Sequence, residues 1–386
     1  MKRIYLDHAA TTPVDDRVLK AMQPYLCERF GNASSIHRIG QEAKEALEKS
    51  RQIIADKINA HPSEIVFTSG GTESNNFALK GVAFSNRDKG RHIITTRVEH
   101  DCVLNSCRWL ETQGFKVTYL GVDENGMVRP DDIRQAITKD TLAVSVIHGN
   151  NEVGTIAPIR EIGKICREKG VYFHTDACQS FTKVPIDVEK DYLDMLTINA
   201  HKIYGPKGVG ALYIKKGTTI DAWQHGGGHE RNLRSGTENI PGIVGFAKAV
   251  EIACKSDVVQ MTEFRDILIT RVLSEIADSS LRGHPAHRLC NNATFSFSGI
   301  EGESLLLRLD MHGIACSTGS ACSSHTLEPS HVLMAMGLSH EDAHSSLRFS
   351  VGKENTAEDI EHTVDMLKKE VGLLRKMSPV GGMDVQ

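Results

Sequence analysis

No stretch of this chain approaches the roughly 18 consecutive apolar residues that a membrane-spanning helix requires. The opening Met1-Lys2-Arg3-Ile4-Tyr5-Leu6-Asp7 carries basic residues but no uninterrupted apolar segment, so it does not read as a secretory signal. A surplus of either charge is missing too. Forty-five Lys and Arg stand against 49 Asp and Glu, a net charge of −4 with no dominant basic block. That excludes a nucleic-acid binder whose affinity rests on neutralising phosphates. There is no C-x-x-C pair, and the nine cysteines are odd in number and irregularly spaced. Reduced thiols in the cytoplasm are expected, not a disulfide framework. What is present is enough for a substantial core: 40% of the 386 residues are hydrophobic, which excludes disorder.

The first two-thirds of the chain alternate short β-branched runs with helical periodicity. Strands are expected at 64–68, 92–96, 116–120, 142–147, 171–175, 195–199 and 210–214. Helices are expected at 72–84, 101–113, 130–137 and 158–169. That alternation predicts βαβ crossovers, hence an α/β fold with a mainly parallel central sheet covered by helices on both faces. Beyond Pro241 the pattern changes. Helices at 242–254 and 258–278 precede strands at 292–297, 313–317 and 346–350, and a last helix begins near Ala357. There Ile360, Val364, Leu367, Val371 and Leu374 recur at helical spacing, with Thr356 as N-cap and Asp359 three residues on. A smaller α+β domain is expected here. The division is 1–15 as an N-terminal segment packing with the small domain, 16–257 as the large domain and 258–386 as the small one.

Ligands of open parallel sheets bind at the carboxyl ends of the strands, and here those ends are rich. Ser69-Gly70-Gly71-Thr72 follows the strand at 64–68. Its glycines permit a tight turn, and Thr72 opens a helix whose free N–H groups suit a phosphate. Taken alone it is also an ordinary helix start, since neither a Walker A loop nor G-x-G-x-x-G is present. Glu99-His100 follows the strand at 92–96, and His100 can stack on a planar ligand or shuttle a proton. Asp176 closes the strand at 171–175, with Gln179 one turn later. A carboxylate placed there can pair with a protonated ring nitrogen. Ala200-His201-Lys202 closes the strand at 195–199, and Lys202 is a Schiff-base candidate because desolvation favours the neutral amine. Together these supply what a pyridoxal phosphate site requires: a phosphate cradle, an amine, an acid for the ring nitrogen and a stacking group.

Two segments of the second half add chemistry. Ser317-Thr318-Gly319-Ser320-Ala321-Cys322-Ser323-Ser324 is almost wholly small or polar, so an exposed, mobile loop carrying one thiol is expected. Such a thiol suits a nucleophile that visits a cofactor and then leaves. The other eight cysteines read as structural. Arg348 alternates with apolar neighbours on a strand and can point inward to grip a carboxylate. His225 and His229 are four apart, but the three glycines between them oppose the helix that a shared metal would need. The adjacent Arg231–Thr237 stretch can offer cationic and hydroxyl contacts to an anion.

The stretches YLDHAATTP (5–13), GNASSIH (31–37), FTSGGTESNN (67–76), HTDACQS (174–180), AHKIYGPKGVGALY (200–213), GGGHERNLRSGTEN (226–239) and STGSACSSHTLEPSHV (317–332) resemble the NifS/IscS-type cysteine desulfurases, of the class-V aminotransferase family. The match runs in order from residue 4 to about 376, and its details look closest to the NifS-like branch. It implies a fold-type-I pyridoxal phosphate enzyme, a homodimer with its active site at the subunit interface. L-cysteine would become L-alanine, leaving a persulfide on Cys322 for an iron–sulfur scaffold protein of NifU/IscU type. The resemblance makes Lys202 the Schiff-base lysine and His100 the stacking acid–base group. Asp176 and Gln179 contact the ring, and Thr72 and His201 bind phosphate. Thr237 reaches the phosphate from the other subunit. Asn151 touches cofactor and substrate, and Arg348 holds the substrate carboxylate with Asn32 nearby. Asn199 departs from the family pattern, which has serine two residues before the His-Lys pair, and Ala33 stands where proline is usual.

Two other functions fit parts of the same sequence. One is another fold-type-I reaction, such as selenocysteine lyase, β-elimination or transamination, none of which needs Cys322. The other is a non-catalytic metal or cluster carrier, which irregular cysteine spacing disfavours.

Overall fold

The computed structural model describes residues 3–318 and 328–377. Its strands, in chain order, are β1 (Ile4–Tyr5), β2 (Ile65–Thr68), β3 (His92–Thr96), β4 (Lys116–Leu120), β5 (Thr141–Ser145), β6 (Tyr172–Asp176), β7 (Met195–Asn199), β8 (Gly210–Ile214), β9 (Ser279–Arg282), β10 (Asn292–Phe297), β11 (Ile314–Ala315), β12 (Ser317–Thr318) and β13 (Ser346–Ser350). Seven of them form one sheet in the order β2-β8-β7-β6-β5-β3-β4. All its pairings are parallel except those of β8, which runs antiparallel to both neighbours. This is the mainly parallel α/β sheet expected of a fold-type-I enzyme. Burial explains the strand sequences. β2, β3, β5, β7 and β8 are buried at every position and therefore read as mostly apolar or β-branched runs, with polar His92, Ser145 and Asn199 only at strand ends, while no residue of the edge strand β4 is buried.

The principal core lies between this sheet and the helices Arg38–Lys57, Ile159–Lys169 and Ile240–Ile252, centred on Ile54, Phe173, Phe181, Leu196 and Phe246. A second core, around Phe295, Leu305, Phe349, Ile360 and Leu367, belongs to the four-stranded antiparallel sheet β12-β13-β10-β9 and its helices Lys255–Glu275, Gly302–Met311 and Ala357–Met377. Thr356 and Asp359 cap the last helix reciprocally. The Asp359 amide donates to Thr356 Oγ1 and the Thr356 amide donates to Asp359 Oδ2.

Some expectations change. The single strand at 313–317 is two strands of two residues: β11 pairs with β1, β12 pairs with β13, and the chain changes sheets at Cys316. The 20-residue helix Arg38–Lys57 and the strand β9 were not anticipated. β9 is only partly buried and its Ser-Ser-Leu-Arg sequence carries no clean alternation.

Candidate active site

Chain direction in the large sheet brings the carboxyl ends of β2, β3, β6 and β7 to one rim. There a cavity of about 270 Å³ opens, lined by Ala9, Thr72, Asn75, His100, Asn151, Asp176, Gln179, His201, Lys202 and Arg348 among others. Nine residues singled out from the sequence (Thr72, His100, Asn151, Asp176, Gln179, His201, Lys202 and Arg348, with Asn199 as the family departure) thus meet in one place.

Each arrives for a local reason. Gly70 adopts φ +155, in the range that glycine alone occupies easily, and caps the helix Gly71–Ser85. A Cβ on Gly71 would lie 2.5 Å from Cys178 Sγ, so a larger residue here would have to displace that buried side chain. The helix opens one residue earlier than expected, presenting its N-terminal amides and Thr72 to the cavity. Asp176 ends β6, and its carboxylate accepts from Asn75 Nδ2 at 2.6 Å and from the Cys178 amide at 2.9 Å. Gln179 Nε2 donates to the Ala9 carbonyl at 2.8 Å. Lys202 Nζ has neither hydrogen bond nor ion pair among the described residues, so the amine is free to react.

Burial sets the charges around it. It pushes His201 down to about 4, assisted by the nearby Lys202 cation, so the imidazole is neutral at physiological pH; its Nδ1 lies 3.2 Å from Thr11 Oγ1. His100 is lowered as well, by burial first and Lys202 second. Lys183, brought down to about 8 mainly by burial, donates to the carbonyls of Gln179 at 3.0 Å and Lys202 at 3.2 Å, tying together the two segments that carry those side chains. Glu99, fully buried behind the rim, is pushed up to about 8 by desolvation. Its Oε1 accepts from Thr96 Oγ1 and the Ile147 amide.

Arg348 reaches in from β13. Its Nη1 donates to the Asn151 carbonyl and its Nη2 pairs with Asp7, both at 2.8 Å, while Nε has no partner among the described residues. The inward orientation expected for this arginine is therefore present. Five buried polar atoms of the lining are without partners among the described residues: Asn75 Oδ1, Asn151 Oδ1, Gln179 Oε1, Asn199 Oδ1 and Arg348 Nε. Buried polar groups ordinarily are satisfied. Four of the five are amide oxygens, which accept, and the fifth is a guanidinium N–H, which donates; with the Lys202 amine and a helix N-terminus beside them, the lining offers both donors and acceptors to a polar ligand of the pyridoxal phosphate kind, its anionic groups falling to the donors.

Not every candidate lies here. Asn32 and Thr237 are exposed and do not line the cavity of their own chain; Asn32 Oδ1 accepts from the Ser34 amide. Cys322 lies outside the described residues. Two of the cysteines read as structural, Cys102 and Cys178, line the cavity, and Cys27 and Cys254 are exposed. Their neighbours in space, not in sequence, decide this. Asn75 was also missed. It lies four residues after Gly71, one helical turn into the phosphate-facing helix, so its position was inferable from the motif that preceded it.

The aminotransferase class-V family model matches residues 4–363. The chain is 52% identical to the cysteine desulfurase IscS of Dictyoglomus turgidum, over 98% of this chain and 97% of that one. It is 53% identical to the cysteine desulfurase IscS of Methanosarcina thermophila, over 98% and 94%. Among solved structures, a NifS-like protein superposes with a TM-score of 0.91 at 39% identity, covering 97% of this chain and all of that one. A structure described as SspA in complex with cysteine superposes with a TM-score of 0.83, also at 39% identity, over 92% of this chain and all of the other. The chain belongs to the aminotransferase class-V family, in its NifS/IscS-type branch.

Proposed function

We propose that this protein is a pyridoxal phosphate-dependent cysteine desulfurase: it converts L-cysteine to L-alanine and passes the sulfur, by way of Cys322, toward iron–sulfur cluster assembly. The observation that carries the reading is the meeting, in one cavity at the strand ends, of the Lys202 amine, without a partner among the described residues, with Asp176, Gln179, His100 and Arg348. When bound, pyridoxal phosphate supplies an electron sink for charge developing at the substrate Cα. Lys202 holds it covalently and, once released, moves the Cα proton. Asp176, fixed by Asn75 and the Cys178 amide, keeps a proton on the ring nitrogen. Thr72, the helix N-terminus and His201 take the phosphate, and Asn199 occupies the position of the usual serine. Asn151 and Arg348 orient the substrate carboxylate, and His100 stacks and exchanges protons.

The sulfur step balances without an external oxidant. The Cys322 thiolate attacks the substrate sulfur, an S–S bond forms and the Cβ–S bond breaks. The electron pair stays on carbon, which takes up a proton and becomes the alanine methyl group. Sulfur is oxidised to the persulfide level as carbon is reduced.

A homodimer completes the site on this reading. Asn32 and Thr237 lie away from their own cavity, and Leu26, Phe30 and Ile36, exposed by 58%, 69% and 94%, flank Asn32 as a surface that a second copy would cover. A scaffold protein of NifU/IscU type is the proposed sulfur acceptor. The eight described cysteines are all free, which suits the reducing cytoplasm. No helix among the described residues is long and apolar enough to cross a membrane. The division into 1–15, 16–257 and 258–386 is proposed with the same function in view, the third unit carrying the loop of Cys322. The test is Lys202→Ala. It is expected to abolish both alanine formation and the visible absorption of the lysine-bound cofactor, and retention of either overturns the proposal.

A further inference from the structure

Along the cavity lining runs a chain of hydrogen bonds of which the reaction described above uses only the first, from Asn75 to Asp176. Asn75 Nδ2 donates to Asp176 at 2.6 Å and to Cys102 Sγ at 3.1 Å, one hydrogen to each. This fixes the amide orientation, because the flipped amide would set its oxygen against the carboxylate. With sulfur lone pairs taken by Asn75 and by the Thr72 hydroxyl, the thiol hydrogen is available to His100 Nδ1, 3.0 Å away. The same nitrogen accepts the Cys102 amide at 3.2 Å, as the N-cap of the helix Asp101–Thr112. Two donors therefore converge on Nδ1. His100 Nε2 has no partner among the described residues, and the ring lines the cavity.

We propose that Cys102 is a positioning residue for His100: its S–H, together with its own backbone N–H, occupies Nδ1 and so holds the imidazole as the tautomer that carries its proton on Nε2. A proton on Nδ1 would face two donors at close range. The thiol is suited to this task and unsuited to nucleophilic attack. Burial, reinforced by the Asp176 carboxylate, pushes it up to about 12, so sulfur keeps its proton at any working pH. The arrangement also opposes protonation of the ring, since a second proton must enter at Nδ1. Other charges facing His100 are Lys202 after β7 and His331 of the helix His331–Ala335, which oppose its protonation, and Asp176 at the end of β6 and Asp101 on its own helix, which favour it. None of them occupies Nδ1, so the thiol's contribution is separable by substitution.

The catalytic consequence rests on the proposed role of His100, and the experiment separates the two. In the holoenzyme labelled with ¹⁵N-histidine, and assigned by comparison with His100→Gln, wild type is expected to show a pyridine-type Nδ1 and a pyrrole-type Nε2 for His100. Cys102→Ala removes one hydrogen bond of ordinary strength, so the acidic limb of the kcat profile should move up by roughly half to one pH unit. Its His100 signals should move toward the protonated form at the same pH. Cys102→Ser keeps a donor and should stay with wild type in both readouts. A pyrrole-type Nδ1 in wild type, or Cys102→Ala matching wild type in both readouts, or Cys102→Ser shifting as far as Cys102→Ala, would overturn the proposal. Full activity in His100→Gln would instead refute the acid–base role of His100 and leave the tautomer result standing.

Discussion

Arg348→Lys is the perturbation that separates substrate holding from folding. The side chain is 4% exposed and spends two of its nitrogens on protein: Nη1 on the Asn151 carbonyl and Nη2 on Asp7, each at 2.8 Å. Nε is left over in the cavity lining. A lysine keeps the charge but presents one ammonium in place of a planar fork, so it cannot serve Asp7, Asn151 and an incoming carboxylate together. At least one hydrogen bond to a charged group is lost. Such bonds contribute about 1.5–3 kcal/mol each, which corresponds to roughly 10- to 150-fold in an equilibrium constant. The carboxylate is bound alike in ground and transition states, so the loss should appear in KM for L-cysteine, with kcat changing much less. Because the lysine still pairs with Asp7, no charge is stranded and the denaturation midpoint should stay near that of wild type. The assay is steady-state alanine formation over a range of L-cysteine concentrations. An unchanged KM, or a loss confined to kcat, refutes the carboxylate role of Arg348.

Glu230→Ala tests the anchor of the loop that carries Thr237. Glu230 and Arg51, each with only 3% of its side chain exposed, form two hydrogen bonds of 2.7 Å, and Glu230 also accepts the Phe67 amide. The buried arginine would keep only the half-exposed Glu48, 3.2 Å away, as an ionic partner, so the loss of stability should approach the roughly 3–5 kcal/mol of a broken buried pair, read by chemical denaturation. A loss below about 1 kcal/mol, the range of exposed pairs, would contradict that reasoning. Glu99 sets a pH dependence of defined sign. Its carboxyl titrates near 4.5 in the unfolded chain and at about 8 in the fold. Between those values the folded state keeps a proton that the unfolded state has lost, so this contribution to stability falls as pH rises from 4.5 to 8. Glu99→Gln, which mimics the protonated acid, should therefore gain on wild type with rising pH across that window; a difference independent of pH would show that Glu99 is ionised in the fold.

The large sheet was legible because parallel strands buried on both faces have to be continuous apolar runs. β3 and β7 fall at the positions expected from that rule, and the exposed edge strand β4 and the antiparallel β8 at those expected from β-branched content and bounding turn residues. The rim of the site was legible for a related reason: Asp176 and Asn199 are the last residues of their strands, and His100, His201 and Lys202 follow strand ends within a few positions. What escaped was determined by contacts distant in sequence. The strand expected at 313–317 divides because β1, some 310 residues earlier, claims its first half. Cys102 read as one of eight structural thiols; its contact with His100, two residues before it, is local, but nothing near it in sequence shows that Asn75 and Asp176 approach the same sulfur. Arg348 showed an inward alternation, yet nothing near it in sequence identifies Asp7 and the Asn151 carbonyl as what it holds.

The central claim is that sulfur leaves L-cysteine through Cys322. The direct measurement is incubation of the purified holoenzyme with L-cysteine, quantifying alanine and mapping persulfide by mass spectrometry, for wild type and Cys322→Ser. The account predicts alanine and a persulfide on Cys322 in wild type, with neither forming in the variant although its cofactor absorption is intact. Alanine and sulfide released by Cys322→Ser at the wild-type rate under reductant would contradict it.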